Sequence, residues 1–171
     1  TSTNTQDVSS RITISGGATG IIDTNGNNVT FATALANSGT AGLTKNGAGT
    51  LILSAASNSY TGATTINGGT LQIGNGGAAA MASTSVILGG GTFDYNTTTV
   101  SATTTVSGTG DVTVRAGTLS VTGTGYTGAT RINGGTLKFT AASLDNSTIT
   151  FGGGVLQYET GNTQDVSAQI Q

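Results

Sequence analysis

Residues 60–71 read Tyr60-Thr-Gly-Ala-Thr-Thr-Ile-Asn-Gly-Gly-Thr-Leu71, and residues 126–137 read Tyr126-Thr-Gly-Ala-Thr-Arg-Ile-Asn-Gly-Gly-Thr-Leu137. Eleven of the twelve positions agree at an offset of 66, so the chain contains an internal repeat. Around this block runs a finer ladder. Gly-Thr-Leu or a close relative recurs, with its third residue at Leu51, Leu71, Phe93, Leu119, Leu137 and Leu156, in steps of 20, 22, 26, 18 and 19. A period near twenty with variable spacers is the pattern of stacked coils joined by loops of different length.

Within each rung the side chains alternate. Leu71-Gln72-Ile73, Leu137-Lys138-Phe139, Val112-Thr113-Val114 and Leu119-Ser120-Val121 place apolar residues on either side of a polar one. Period-two alternation in short runs rich in β-branched residues predicts strands with one buried face. The two copies differ where that reading puts side chains in water: Thr65 becomes Arg131 and Gln72 becomes Lys138, while Ile66/Ile132 and Leu71/Leu137 stay apolar. Short strands at this spacing satisfy their backbones only by pairing in parallel with the coils above and below. Gly in Asn67-Gly68-Gly69 and Asn133-Gly134-Gly135 supplies positive φ at the corners, and Asn suits the same corners. The absence of Pro keeps every interior donor available. The predicted fold is all-β, a right-handed parallel β-helix with coils of roughly 18–26 residues. One helical turn is expected at Ala78–Ala82.

A second repeat joins the two ends: Asn4-Thr5-Gln6-Asp7-Val8-Ser9 returns as Asn162-Thr163-Gln164-Asp165-Val166-Ser167, an offset of 158. Val100-Ser101-Ala102 echoes Val166-Ser167-Ala168. The expected organisation is one β-helix segment over 1–171 from a longer repetitive protein, with units at about 8–99 and 100–165 and the start of another at 166–171.

Composition narrows the function. There is no Cys, His, Pro or Trp in 171 residues, and only five Lys+Arg and seven Asp+Glu. No disulfide or thiolate metal site can form. No apolar run nears the ~20 residues of a membrane span, and no basic cluster suits nucleic acid. The low net charge of −2 and the ordered apolar alternation argue against disorder. Without His or Cys, nucleophilic catalysis is left with Ser–Lys or Thr–carboxylate pairs. Lys45 falls in the repeat at a position expected to face outward as a solvated charge. The acids Asp7, Asp23, Asp94, Asp111, Asp145, Glu159 and Asp165 are isolated in sequence; stacking could bring Asp94 and Glu159 together, though surface decoration is the favoured reading. Gly108-Thr109-Gly110-Asp111 lacks the full Ca²⁺-binding nonapeptide pattern. No catalytic, cofactor-binding or metal-ligating residue is expected. Tyr60 and Tyr126 occupy matching places after a loop, where they either pack across a corner or stack on one face as a surface contact for a sugar.

Leu43-Thr44-Lys45-Asn46-Gly47-Ala48-Gly49-Thr50-Leu51-Ile52-Leu53-Ser54, followed by Tyr60 to Gly74, resembles the passenger-associated transport repeat of bacterial autotransporter passengers, which use type V secretion. A second copy covers 108–139, with Gly108 to Val114 in place of the Leu-Thr-Lys-Asn-Gly start. The resemblance implies export through an outer-membrane β-barrel, an extracellular or cell-surface location, and anchoring through a part outside this chain. The expected function is a structural or adhesive rod, not an enzyme, used for display, spacing or adhesion. Its expected partners are cell-surface or glycan ligands, further copies, and the neighbouring repeats of the chain itself, with no nucleic acid and no membrane span. The alternatives are a carbohydrate-active β-helix enzyme and a self-assembling extracellular fibre.

Overall fold

The computed structural model describes residues 4–38, 40–144 and 146–171. Its described residues hold fifteen strands and two short 3-10 turns, Ser9–Arg11 and Ser167–Gln169. All strand pairing between named strands is parallel. The chain is a β-solenoid.

One ladder runs through the whole rod: β3 (Val29–Phe31), β6 (Thr50–Leu53), β8 (Thr70–Ile73), the start of β10 (Thr92–Gly108), the start of β11 (Asp111–Thr122), β12 (Ala129–Ile132) and β14 (Thr148–Phe151). Its register joins Phe31, Leu53, Ile73, Tyr95, Val114, Ile132 and Phe151, in steps of 22, 20, 22, 19, 18 and 19 residues. Seven rungs at about 4.8 Å put roughly 29 Å between the first and the last. A second ladder carries β2 (Thr19–Asp23), β5 (Gly42–Asn46), β7 (Thr64–Ile66), β9 (Ser85–Leu88) and the end of β10. A third side begins with β1 (Thr13–Ser15) on β4 (Ala36–Ser38) and a bridge from Asn58 to Met81. Higher up it becomes regular, where the middle of β10, the end of β11, β13 (Thr136–Phe139) and β15 (Val155–Tyr158) pair.

The interior follows the alternation read from sequence. Leu43, Leu51, Leu53, Ile66, Leu71, Ile73, Val86, Phe93, Val114, Leu119, Ile132, Leu137, Phe139 and Ile149 are buried in one continuous core. Each such side chain contributes on the order of 1.5–3 kcal/mol by burial. At the corner of the first copy Gly69 has φ +61°, and a Cβ there would collide with the carbonyl oxygen of Gly49 in the coil below. Gly135, at φ +65°, meets Gly117 in the same way. Only a residue without a side chain lets the coils approach to ladder distance at these corners. Asn67 Nδ2 donates to Asn46 Oδ1 at 2.9 Å, so part of the corner amide stack is also formed.

Three expectations are corrected. The 26-residue step is not a coil, for Phe93 pairs with Val112, 19 residues on, while Leu119 pairs with Ala102. Coils measured between paired strand residues span 17 to 23 residues. Between Phe93 and Leu119 the Gly-Thr-Leu motif crosses from one ladder to the next. The two copies of the repeat therefore occupy different faces: Thr64 sits on the second ladder, whereas Thr130 sits above Val112 on the ladder of Leu71. The crossing happens because β10 runs unbroken through the corner, with register shifts between Tyr95 and Ser101, and the coils above it are shorter.

Ala78–Ala82 forms no helical turn. Asn58 N and Ala82 N donate along the stack, to Ala80 O at 2.9 Å and Asn58 O at 2.8 Å, so the segment is held as a rung. Middle residues are also less open than expected. Thr113 and Ser120 are buried although the alternation points them outward; Ser120 Oγ is met by the Glu159 carboxylate.

Candidate functional site

The chemistry-bearing side chains define the candidate site. They gather at β11. The outward row of the seven-rung ladder runs Gln72, Asp94, Thr113, Arg131. Arg115 Nε donates to Asp94 Oδ2 at 2.7 Å, and Arg131 Nη1 donates to Asp111 Oδ2 at 2.6 Å. Asp111 Oδ1 also accepts the amide of Ala129 at 3.0 Å. Four of the chain's twelve charged residues thus form two crossed ion pairs on adjacent coils.

The pairs differ in environment. The Asp94 side chain is 3 % exposed and that of Arg115 is 51 % exposed, so the arginine lies over the carboxylate as a lid. Asp94 Oδ1 is buried without a hydrogen-bond partner. Burial pushes its carboxyl above the usual value, and the Arg115 guanidinium only partly offsets that. In the second pair Arg131 is exposed and Asp111 half-buried. Asp94 and Glu159, which stacking could have brought together against the favoured reading of surface decoration, take separate partners: Glu159 Oε1 accepts from Ser120 Oγ at 2.7 Å, and Asp94 Oδ2 accepts from Arg115 Nε. Asp145 lies outside the described residues. Among the described residues no group of three His, Cys, Asp or Glu side chains is placed to hold a metal ion.

Lys45 overturns its outward assignment. It pairs in register with Ile22 and Ile66 on an inward row, and is 0 % exposed. Its Nζ donates to the carbonyls of Asn46 at 2.8 Å, Gly47 at 2.8 Å and Gly68 at 3.2 Å, tying the corner of its own coil to the next. Three acceptors match the three donors of an ammonium. Burial lowers its pKa, and the charge of Asp23 acts the other way. Counting by twos inward from Leu43 would have found this position; the charge of the residue type hid it.

Tyr60 and Tyr126 are not surface contacts. Tyr60 is 0 % and Tyr126 2 % exposed, and each ring packs inside a corner, where no sugar can reach it. Each phenol joins an internal network repeated between the copies. Thr64 Oγ1 donates to Tyr60 Oη at 3.2 Å and meets Ser83 Oγ at 3.0 Å. Thr130 Oγ1 stands 3.2 Å from Tyr126 Oη and 2.6 Å from Ser147 Oγ. The second network goes further: Tyr126 Oη donates to Ala129 O at 2.6 Å and accepts from Val112 N at 3.1 Å. Burial raises both phenols, that of Tyr60 to about 12. Apolar exposure lies elsewhere, at Ile21 and Ile87 on outward faces and at Phe151, Val155, Tyr158 and Ile170 near the C-terminal end.

Residues 43–73 and 116–139 match the passenger-associated-transport-repeat family. These two stretches, about a third of the chain, are similar to passenger-associated transport repeats. The first match covers β5 to β8. The second begins within β11, eight residues after the start expected at Gly108, and ends with β13. No curated protein and no solved structure matches the chain. The passenger-repeat family is one of exported surface proteins, and among the described residues of this chain no helix is long and apolar enough to cross a membrane. Within the passenger repeat, Lys45 and Tyr60 are structural members of the corner.

Proposed function

We propose that this chain is a stiff rod segment of an exported bacterial passenger, used to space, display and adhere, and without catalytic activity of its own. The observation that carries this reading is the unbroken seven-rung ladder with passenger repeats embedded in it. The backbone of each inner rung on that ladder is paired with the coils on either side, which gives length and resistance to proteolysis. Outward Thr, Asn and Gln side chains offer many weak polar contacts, none of which needs a pocket. The acids of the charged strip are each engaged by an arginine of an adjacent coil, which supports a structural use over an acid–base pair.

The test is binding of the immobilised chain to bacterial cells, host-type surfaces and a glycan panel. Saturable binding that is lost on unfolding establishes adhesion. Absence of binding, from protein shown to be β-folded by circular dichroism, removes adhesion and leaves spacing. Hydrolysis or elimination of any glycan in the panel would overturn the non-catalytic reading.

A further inference from the structure

Five Asn-Gly pairs occur in the chain: Asn25-Gly26, Asn46-Gly47, Asn67-Gly68, Asn75-Gly76 and Asn133-Gly134. Such a pair is open to ring closure, in which the glycine amide nitrogen attacks the asparagine Cγ. Nucleophile and electrophile are neighbours in one chain, and glycine has no side chain to block the approach. Ladder bonds oppose the reaction at three of the five. Gly26 N donates to Ala48 O at 2.9 Å, Gly76 N to Asn96 O at 2.9 Å and Gly134 N to Val114 O at 3.2 Å, so each nitrogen is held by an adjacent coil. Among the described residues no backbone carbonyl accepts the Gly47 or the Gly68 amide.

Asn46 differs from the rest in what touches it. Its side-chain Oδ1 accepts from Asn67 Nδ2 at 2.9 Å, and its main-chain carbonyl accepts from the Lys45 ammonium at 2.8 Å. The first bond draws electrons from Cγ and is already in place for the oxyanion that forms there on attack. The second eases loss of the Gly47 amide proton, because that carbonyl and the Gly47 nitrogen belong to one conjugated peptide group. Asp23 pairs in register with Asn46, and its Oδ1 lies so close to Gly47 that a Cβ there would overlap it. A carboxylate therefore stands where the proton must leave. Among the described residues neither Asn67 Oδ1 nor Asn133 Oδ1 has a donor of this kind.

We propose that Asn46 is a self-modification site, at which the stacked corner closes Asn46 and Gly47 into a succinimide. The bond from Gly47 N to Asn46 Cγ forms, the Cγ–Nδ2 bond breaks, and ammonia leaves with the proton from Gly47. Water then opens the ring at either carbonyl, giving aspartate when it attacks the side-chain carbonyl and isoaspartate when it attacks the main-chain one. Asn46 is half-buried and Asn67 exposed, so water reaches the corner. The product adds one negative charge to a chain of formal net charge −2, next to two groups that already donate to residue 46. The fold acts here on itself and turns over no substrate, so the inference stands whether or not the rod adheres.

The full chain is incubated at pH 8, folded and in denaturant, and each Asn-Gly pair is followed by peptide mass mapping with isoaspartate detection. Every folded rate is divided by the rate of the same pair in denaturant, which removes the effect of local sequence. The ratio for Asn46 should exceed that for Asn133 at least about tenfold, and Asn67→Ala, which removes the oxyanion donor, should slow Asn46 about tenfold. Lys45→Met should slow it too. Asn133, which neither substitution touches, is the internal control, and circular dichroism selects folded protein. A folded chain in which Asn46 reacts no faster than Asn133, or in which its rate ignores either substitution, overturns the proposal. So does aspartate formed at position 46 without any succinimide or isoaspartate, since direct hydrolysis needs no ring.

Discussion

Arg115 Nε lies 2.7 Å from Asp94 Oδ2, one coil away, with the carboxylate buried and the guanidinium half in water. Removing the arginine strands a buried charge, a loss on the order of 3 kcal/mol for Arg115→Met. Arg131→Met breaks an exposed pair and should cost under about 1 kcal/mol. The first loss is pH-dependent. Burial raises the folded Asp94 pKa above 3.8, so between that value and the folded one the folded state holds more protons than the unfolded. The contribution of Asp94 to stability therefore falls as pH rises through that window. Asp7, whose carboxyl is lowered mainly by the Ser9 side chain, acts in the opposite sense: its stabilisation is present above 3.8 and lost as pH falls through its folded pKa. Urea unfolding should show the gap between wild type and Arg115→Met narrowing from pH 7 to pH 4. A constant gap would mean that Asp94 is not the group left unpaired.

The twin tyrosines should respond unequally. Tyr126→Phe strips the partner of two backbone groups, Val112 N and Ala129 O, and should destabilise by about 1–3 kcal/mol. The Tyr60 hydroxyl faces Met81 Sδ and Thr64, which keeps Ser83, so Tyr60→Phe should cost less. Thermal melts of the two variants decide this. Neither substitution should alter glycan binding.

Alkaline titration checks the same burial. Tyr60 is held up to about 12, with Tyr95 and Tyr126 also raised. The folded chain should show markedly less phenolate absorbance at pH 11 than the chain in denaturant. Because the unfolded state ionises first, these phenols contribute less stability as pH climbs above 10. Equal absorbance in the two states would place the rings in solvent.

Leu71 and Gln72 test the two faces of one strand. Leu71→Asp puts a charge into a closed interior and should cost more than about 4 kcal/mol or prevent folding, whereas Gln72→Lys, the residue found at Lys138, should stay within about 0.5 kcal/mol. Circular dichroism melts that moved equally would invert the face assignment.

Lys45→Met leaves the carbonyls of Asn46, Gly47 and Gly68 without their shared donor, and a loss of about 2 kcal/mol is expected. At this chain length that corresponds to a melting temperature lowered by roughly 4–8 °C. An unchanged melting temperature would show that water replaces the ammonium.

The alternation was the legible part. Leu71-Gln72-Ile73 and Leu137-Lys138-Phe139 declare their inward residues, and Gly69 and Gly135 mark corners, because one-sided burial and positive φ are local demands on residue type. Which rung lies over which was hidden. The 26-residue step from Phe93 to Leu119 has the form of a long coil until the register of β10 shows that the motif changes ladder. Lys45 and Tyr126 were misleading for a related reason: their partners are backbone groups of neighbouring coils, and such partners leave no mark in the sequence of the residue itself. Asp94 acquired its role from Arg115, 21 positions away, through stacking alone.

The ladder change between β10 and β11 has one more effect. Each outward residue of the lower repeat is turned one ladder from its counterpart: Thr65 lies on the second ladder and Arg131 on the seven-rung one, while Gln72 lies on the seven-rung ladder and Lys138 on the third side. Near-identical sequence is thereby distributed like steps on a spiral stair. A single flat surface cannot engage equivalent positions of both copies at once, so what the repeats gain from duplication is access from several bearings, not avidity toward one.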